Sequence, residues 1–213
     1  MKEDPFKSYN PLGLSNSTEK RKTPTEQKAA QEKLHIEAGI ARPEDWEKLR
    51  DLRLAILDSD GEVAASSEKE ILKIKKRTDQ EWKNVFFGEG RFSVLVSSGS
   101  ETAGMGRANK YQGHWYLFNL GVKKEFRGIG LGATITALRL QEIGARGGKE
   151  VYAFVKDGNI ESIKNAESFG FRRINTLLAK MKKAWNSGFA LMKLDDVNAP
   201  EVVERINEVL NAR

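Results

Sequence analysis

The fold is decided by the stretch Val122-Lys123-Lys124-Glu125-Phe126-Arg127-Gly128-Ile129-Gly130-Leu131-Gly132. An apolar run from Tyr116 to Val122 precedes it, and a helical pattern from Leu131 to Arg146 follows it. Alternating glycines between a strand and a helix remove side chains where backbone N–H groups converge, and the helix dipole adds positive potential there. The stretch therefore predicts a cradle for the phosphate groups of a cofactor.

Two other glycine-rich loops fit this stretch poorly. Gly128-x-Gly130-x-Gly132-Ala133 matches the dinucleotide fingerprint in its letters, but Lys123–Arg127 separate its first glycine from the apolar strand. The fingerprint places that glycine directly after the strand, which disfavours a nicotinamide cofactor. No Lys-Ser/Thr pair follows the glycines, so the phosphate loop of ATPases is excluded. A turn that only lets a helix pack closely stays open as an alternative.

The apolar pattern along the rest of the chain predicts an alternation of strands and helices. Strands are predicted over residues 34–41, 91–98, 102–108, 115–122, 150–156, 171–174 and 188–194. Helices are predicted from Pro43 to a break at 58–61, over 67–87 and 131–146, in a short segment ending at 169–170, and over 200–213. The three consecutive strands predict antiparallel hairpins, and the strand–helix–strand unit around the glycines predicts a parallel pair. The expected fold is α/β, with a mixed, mostly antiparallel sheet and helices on both faces.

Composition predicts one domain with appendages. The chain has 213 residues, of which 39% are apolar and 31% charged, enough for a core of ordinary size. Residues 1–33 are polar and rich in proline, so we expect a flexible tail that becomes helical after Thr25. The domain is expected over 34–195, and 196–213 is expected to be an amphipathic C-terminal helix.

Several classes of protein are not expected. No apolar run approaches the ~20 residues that span a bilayer, and Met1–Pro5 begins no apolar signal region. The absence of cysteine fits a cytoplasmic location and leaves no thiolate for a metal. His35 and His114 lack a second ligand at metal spacing, so no metal is expected. The net charge of +6 is spread over interspersed residues of both signs, so a nucleic-acid partner is not expected.

Three groups of residues together resemble the GNAT family of N-acetyltransferases. They are Val122-x-x-x-Phe126-Arg127-Gly128-x-Gly130-x-Gly132, Asn159-x-x-Ser162, and Glu167-Ser168-Phe169-Gly170-Phe171. The order of predicted elements from Leu34 to Leu194 is also similar to that of the family. The resemblance implies a splayed parallel strand pair and acetyl-CoA as cosubstrate, with no metal.

In that family the glycine loop wraps the pyrophosphate of coenzyme A. By position, the resemblance implies cofactor contacts from Arg127, Gly128, Ile129, Gly130, Leu131, Gly132 and Ala133. It also implies that the backbone of Leu120 and Val122 pairs with the pantetheine arm, and that Asn159 contacts the cofactor. A helix N-cap explains Asn159 equally well, and the two roles are compatible.

The implied reaction is direct transfer of the acetyl group to a primary amine of a small molecule or a protein; a homodimer is left open. Two positions depart from the family's pattern. Ala166 stands where a tyrosine often acts as the acid, and Tyr116 stands where a glutamate or histidine often acts as the base. Tyrosine is a poor base, with an ordinary pKa of about 10. The candidates are Tyr116 itself, a water relay from Asn119, and the acids Asp58 and Asp60. These departures keep open a second function, a non-catalytic acyl-CoA-binding module or sensor.

Overall fold

The computed structural model describes residues 23–64, 68–174 and 189–212. Within them, seven strands form one sheet in the order β1-β2-β3-β4-β5-β7-β6. The strands are β1 (Ile36–Ile40), β2 (Arg91–Ser98), β3 (Glu101–Tyr111), β4 (His114–Val122), β5 (Val151–Lys156), β6 (Arg172–Arg173) and β7 (Phe189–Leu194). All neighbouring strands are antiparallel except β4 and β5, so the predicted mixed sheet with one parallel pair is confirmed.

Helices cover both faces of the sheet, as predicted. They are α1 (Pro24–Lys33), α2 (Trp46–Ala64), α3 (Glu68–Lys75), α4 (Asp79–Phe87), α5 (Leu131–Ala145), α6 (Ile160–Glu167) and α7 (Pro200–Asn211). Helices α5 and α7 share the larger core with one face, through residues such as Ile135 and Ile206. Helices α2 and α4 share a second core with the other face, where Leu49 and Trp82 pack near Met105.

The parallel pair is short, because β4 and β5 separate soon after they meet. Only Trp115, Tyr116 and Leu117 of β4 have partners on β5, at residues 151–153. Beyond them β4 continues to Val122 beside β3, and β5 continues to Lys156 beside β7. The splayed pair implied by the family resemblance is therefore present, and it opens at the end that leads into the glycine loop.

A β-bulge lies where the two strands separate. Met105 is opposite Gly121 and Arg107 is opposite Phe118, so Asn119 and Leu120 together face the single residue Gly106 of β3. Asn119 has a φ of +52°, in the left-handed region that asparagine tolerates better than most residues. The bulge turns the backbone of β4 at the mouth of the opening.

One prediction about the helical layer is confirmed and one is wrong. The predicted break at 58–61 is present as a kink, where Asp60 leaves helical geometry at φ −135° and ψ 31° before the helix resumes and continues to Ala64. The predicted single helix over 67–87 is two helices. The second, α4, starts at Thr78, whose side chain accepts from the N–H of Glu81 while the Glu81 side chain accepts from the N–H of Thr78.

The part of the predicted tail that the structure describes is helical from residue 24. Helix α1 begins at Pro24, ahead of the predicted start after Thr25, and follows a capping box between Thr23 and Glu26. It leads directly into β1, and Ser98 of β2 donates to the carbonyl of Leu34 at 2.5 Å. Residues 1–22 of the predicted tail lie outside the described residues, as does residue 188 of the last predicted strand.

Candidate active site

The glycine loop follows a short 3₁₀ turn and ends at the start of α5. Phe126 and Ile129 are buried and anchor the loop to the larger core. Gly128 and Gly130 have φ values of +77° and +86°, a conformation that side chains disfavour. Gly130 is the N-cap of α5, so the loop turns the chain directly onto the positive end of the helix dipole.

The backbone of this loop is suited to bind an anion. In the part of the chain that the structure describes, the N–H groups of residues 128–132 donate to no backbone carbonyl. A Cβ added at Gly128 or Gly132 would meet nothing within 4 Å, so there is open space on the loop at both positions. Unpaired N–H groups, the helix dipole and open space together fit a phosphate group.

Helix α1 lies against the same loop, which the sequence did not indicate. Gln31 is buried, and its side-chain amide donates to the carbonyl of Ile129. A Cβ at Gly130 would lie 2.8 Å from Oε1 of Gln27 and 3.3 Å from Nε2 of Gln31. A glutamine in a polar helix carries no sequence signal for a contact so far along the chain.

Arg127 connects the loop to the opposite helical layer. Its Nε donates to the carbonyl of Val122 at 3.0 Å, and its Nη2 pairs with the carboxylate of Asp60 at the kink of α2. Lys124 lies 3.9 Å from the other oxygen of that carboxylate. Partial burial raises the pKa of Asp60, but the hydrogen bond from Arg127 and the two positive charges outweigh it, so the pKa is below its ordinary value. Asp60 is therefore a weak base, and Asp58 pairs separately with Lys75.

The end of β4 presents backbone groups to the opening between the strands. The N–H of Lys123 donates to the carbonyl of Ala103 at 2.9 Å, so Lys123 faces β3. Because strand residues alternate, the backbone groups of Val122 face away from β3, toward the side that β5 has left, and Leu120 lies in the bulge next to the same opening. These are the two residues expected to pair with a pantetheine arm.

The two candidate catalytic residues lie in different parts of β4. Asn119 lies in the bulge, at the mouth of the opening. Tyr116 lies in the paired part, 5% exposed, with its ring 5.4 Å from that of Tyr152 and 6.2 Å from that of Phe154. Burial, and after it the neighbouring Tyr152, raise the pKa of Tyr116. The phenol therefore stays protonated and is even less suited to act as a base.

The second motif, Asn159-x-x-Ser162 with Glu167–Phe171, has a clear structural role. The side-chain oxygen of Asn159 accepts from the N–H of Ser162 at 3.1 Å and caps α6. Ala166 is buried on the same helix, where the family often has its acid. Its neighbour Asn165 donates to the hydroxyl of Thr136 at 2.8 Å and so fastens α6 to α5.

The least expected residue of the site is Arg139, on α5 beneath the bulge. It is 2% exposed, and among the described residues its guanidinium donates only to neutral groups. These are the carbonyls of Phe118 at 3.3 Å, Arg107 at 3.4 Å and Ile135 at 3.3 Å, and the Thr136 hydroxyl at 3.1 Å. Burial lowers the pKa of Arg139 to about 9. Between Leu138 and Leu140 the sequence reads as a helix with one polar position, which gave no sign of a buried cation.

Gly106 provides the room for this guanidinium. A Cβ at Gly106 would lie 3.0 Å from Nε of Arg139 and 2.5 Å from Cγ2 of Ile135.

Among the described residues, no group of three or more His, Asp or Glu side chains could hold a metal ion. No helix in these ranges is long and apolar enough to cross a bilayer.

Comparisons with known sequences and structures point to the same family of proteins. The sequence profile of the acetyltransferase (GNAT) family matches residues 46–171. No curated protein matches the sequence significantly. The solved structure of the PaiA N-acetyltransferase from Thermoplasma acidophilum in complex with coenzyme A matches with a TM-score of 0.58 and 17% identity, over 75% of this chain and 98% of that chain.

Two further structures match to a similar degree. The ribosomal-protein-S18-alanine N-acetyltransferase from Escherichia coli has a TM-score of 0.54 and 14% identity, over 76% of this chain and 94% of that chain. An acetyltransferase structure from Salmonella typhimurium with its cofactor acetyl-CoA has a TM-score of 0.57 and 12% identity, over 75% and 93% of the two chains. At identities this low, the structural likenesses show the fold alone.

Proposed function

The chain belongs to the acetyltransferase (GNAT) family, and we propose that it binds acetyl-CoA with its pyrophosphate on the glycine loop and its acetyl group at the bulge of β4. The observation that carries this proposal is the loop itself, where the N–H groups of residues 128–132 lack backbone partners in the described part of the chain. Acetyl-CoA supplies its acetyl group as an activated thioester, and no metal is needed to transfer that group to an amine.

The proposed reaction is direct transfer to a primary amine. The neutral amine nitrogen forms a bond to the acetyl carbon, the bond from that carbon to sulfur breaks, and the amine loses one proton. The products are an N-acetyl amide and the thiol of coenzyme A. The N–H groups of residues 129–132 and the side chain of Arg127 would hold the pyrophosphate, and backbone groups of Leu120 and Val122 would orient the thioester arm. The N–H of Ala133, expected from the sequence to join them, donates to the carbonyl of Gly130 at 3.0 Å instead.

Arg127 would exchange partners during binding. Its guanidinium pairs with Asp60, and both side chains are partly accessible, at 45% and 17%. A doubly charged pyrophosphate competes well for such a cation. The amide of Asn159 would add a cofactor contact from α6, while its oxygen continues to cap that helix.

Proton transfer in this site would rely on solvent more than in many relatives. Tyr116 stays protonated because of its raised pKa, so it would serve only as a proton donor. Asn119, in the bulge, would hold the water that takes the amine's proton. No acid stands at Ala166, and a thiolate is a tolerable leaving group without one.

The acceptor is proposed only as a primary amine, on a small molecule or on a protein.

We also propose a cytoplasmic location, since the chain has no cysteine. A homodimer is proposed on the exposed edge of β1, where Ile40 is 39% exposed, and light scattering in solution tests it.

Calorimetric titration of acetyl-CoA into the protein tests the proposed cofactor site. Gly130→Glu should weaken binding by about 100-fold or more, because it adds a carboxylate to an anion site. Gly113→Glu is the matched control, since Gly113 has the same φ of +86° in the β3–β4 turn, with nothing within 4 Å of its Cβ position. If both variants bind acetyl-CoA equally well, the cofactor does not bind on the glycine loop.

The second candidate function is a non-catalytic acyl-CoA-binding module or sensor. It is favoured by Ala166 and Tyr116, which leave the usual acid and base positions without those groups. A panel of primary amines distinguishes the two functions, with release of the coenzyme A thiol as the readout. Turnover with any amine supports the enzyme, and tight binding of acetyl-CoA with no turnover across the panel supports the sensor.

A further inference from the structure

We infer that Arg139 is a positioning residue for acetyl transfer, a buried cation beneath the bulge of β4 that strengthens the backbone donors polarising the acetyl carbonyl. The inference rests on the proposed function, because it needs the acetyl group at the bulge. It concerns a residue outside the loop and the second motif.

The first support is the place where the guanidinium lies. Its Nη1 is 3.3 Å from the carbonyl of Phe118 and 3.4 Å from that of Arg107, the pair of residues that flank the bulge on β4 and β3. Its Nη2 donates to the Thr136 hydroxyl at 3.1 Å, and that hydroxyl donates in turn to the carbonyl of Gly132 in the first turn of α5. One side chain thus connects the bulge to the end of the glycine loop.

The second support is the chemistry of the peptide that it contacts. The carbonyl of Phe118 and the N–H of Asn119 belong to the same peptide group. A charged donor on the carbonyl oxygen polarises that group and makes its N–H a stronger donor. The N–H groups of the bulge are the ones that would face negative charge developing on the acetyl oxygen, and donors fixed in advance are worth most in such a place.

The third support is the cost of keeping this charge. Arg139 is 2% exposed, and no carboxylate of the described residues pairs with it. A buried cation without a counter-ion is strongly unfavourable, and an apolar side chain of similar size would avoid that cost. The neighbouring strand is built around the charge, since Gly106 lacks the Cβ that would meet the guanidinium. A positive charge in this dry interior acts over a longer distance than one in water.

The direct test measures the acetyl carbonyl in the bound state. Acetyl-CoA with a ¹³C-labelled carbonyl is bound to the protein, and infrared difference spectra report the stretching frequency of that carbonyl. In the native protein the frequency should fall below that of free acetyl-CoA. In Arg139→Met the frequency should return part of the way to the free value, because the backbone donors remain but are weaker, and in Arg139→Lys it should lie between the values of the native protein and Arg139→Met.

Kinetics give a second readout with an amine that is turned over. Arg139→Met should lower kcat by about 10-fold, less than the ~100-fold effect of losing a donor to a developing oxyanion, because the backbone donors stay in place and are only weakened. The KM for acetyl-CoA and its calorimetric affinity should change by less than about threefold, because the loop is intact. Arg146→Met is the matched control, since Arg146 ends the same helix but pairs with Glu142 near the surface. It should leave both readouts unchanged.

The outcomes separate this inference from the proposed function. Native protein that fails to bind acetyl-CoA overturns both. Native protein that binds it, with the same carbonyl frequency in Arg139→Met, overturns the inference alone and reduces Arg139 to a packing role. If Arg139→Met does not fold, Arg139→Gln is used, because its amide still hydrogen-bonds to the carbonyls but carries no charge. A carbonyl frequency in that variant equal to that of the native protein overturns the inference equally.

Discussion

Arg127 and Arg139 lie on one short segment of chain, yet they occupy opposite environments. Arg127 is 45% exposed and pairs with the carboxylate of Asp60. Arg139 is 2% exposed, and within the part of the chain that the structure describes it donates only to carbonyls and a hydroxyl. An exposed ion pair contributes little to stability and exchanges partners readily, whereas a buried cation is fixed in place by everything packed around it. The first suits a site that must release its ligand, and the second suits a site whose geometry must not change.

The largest expected effect sharpens the buried side of this comparison. Gly106→Ala should lower the free energy of unfolding by about 1–3 kcal/mol, because the added methyl group overpacks against Ile135 and Arg139. Urea unfolding measures it. Gly39→Ala is the control, since Gly39 is also a strand glycine but has nothing within 4 Å of its Cβ position.

A double mutant tests whether Arg139 itself causes that cost. In an Arg139→Met background, Gly106→Ala should cost less than in the native chain, because a flexible thioether side chain gives way more easily than a held guanidinium. An equal cost in both backgrounds would assign the whole effect to Ile135 and weaken the contrast.

The next effect concerns what holds the loop from outside. Gln31→Leu removes the hydrogen bond to the carbonyl of Ile129 and should loosen α1 by about 1 kcal/mol. Amide hydrogen exchange should then speed up over residues 24–33 and leave the rate in α5 unchanged. Glu32→Leu, at an exposed neighbouring position, is the control. If exchange over residues 24–33 speeds up as much in Glu32→Leu as in Gln31→Leu, then Gln31 does not hold α1.

A smaller effect tests the exchange of partners by Arg127. Asp60→Asn frees the guanidinium from its carboxylate and should tighten acetyl-CoA binding by about threefold at low salt. Asp58→Asn changes the same charge two residues earlier, on a carboxylate that pairs with Lys75, and should have a weaker effect. Calorimetry measures both. If the two variants tighten binding equally, the gain comes from net charge and not from release of Arg127.

The smallest effect is a pH dependence of the same pair. Because the pKa of Asp60 is lowered in the folded chain, the pair stabilises the fold above the ordinary aspartate pKa, and this contribution is lost as the pH falls through the lowered value. The native chain should exceed Asp60→Asn in stability by about 0.5 kcal/mol at pH 7. Urea midpoints should converge only at pH values below the lowered pKa of Asp60, where both side chains are neutral. A difference that persists there would not be electrostatic.

Sequence reasoning succeeded where the signal was local. The glycines of residues 128–132 and the apolar run before them are contiguous, so a strand, a loop and a helix follow from neighbours alone. The parallel pair also followed, because a helix between two strands allows little else. The helix after the loop was predicted to within one residue of its end at Ala145.

The failures came where the reason is non-local or where one local signal was outweighed. The break before α4 was readable, since Thr78 and Glu81 have capping-box spacing, but the lysines and arginine before them favour a helix. The break at 58–61 was readable from its polar residues and glycine, and it is the kink at Asp60, but the helical segment that follows the kink up to Ala64 was not predicted. Gln31 and Arg139 have no local signal at all, because their partners are set by tertiary packing.

The closeness of Gly106 to Arg139 has an evolutionary consequence. Every missense change at Gly106 adds a Cβ at a point 2.5 Å from Cγ2 of Ile135 and 3.0 Å from Nε of Arg139, so such a change destabilises the fold unless both neighbours give way. Position 106 should therefore covary with positions 135 and 139 among relatives. Lineages with a larger residue at the position of Gly106 should have changed at these two positions, and those that keep both neighbours should keep glycine.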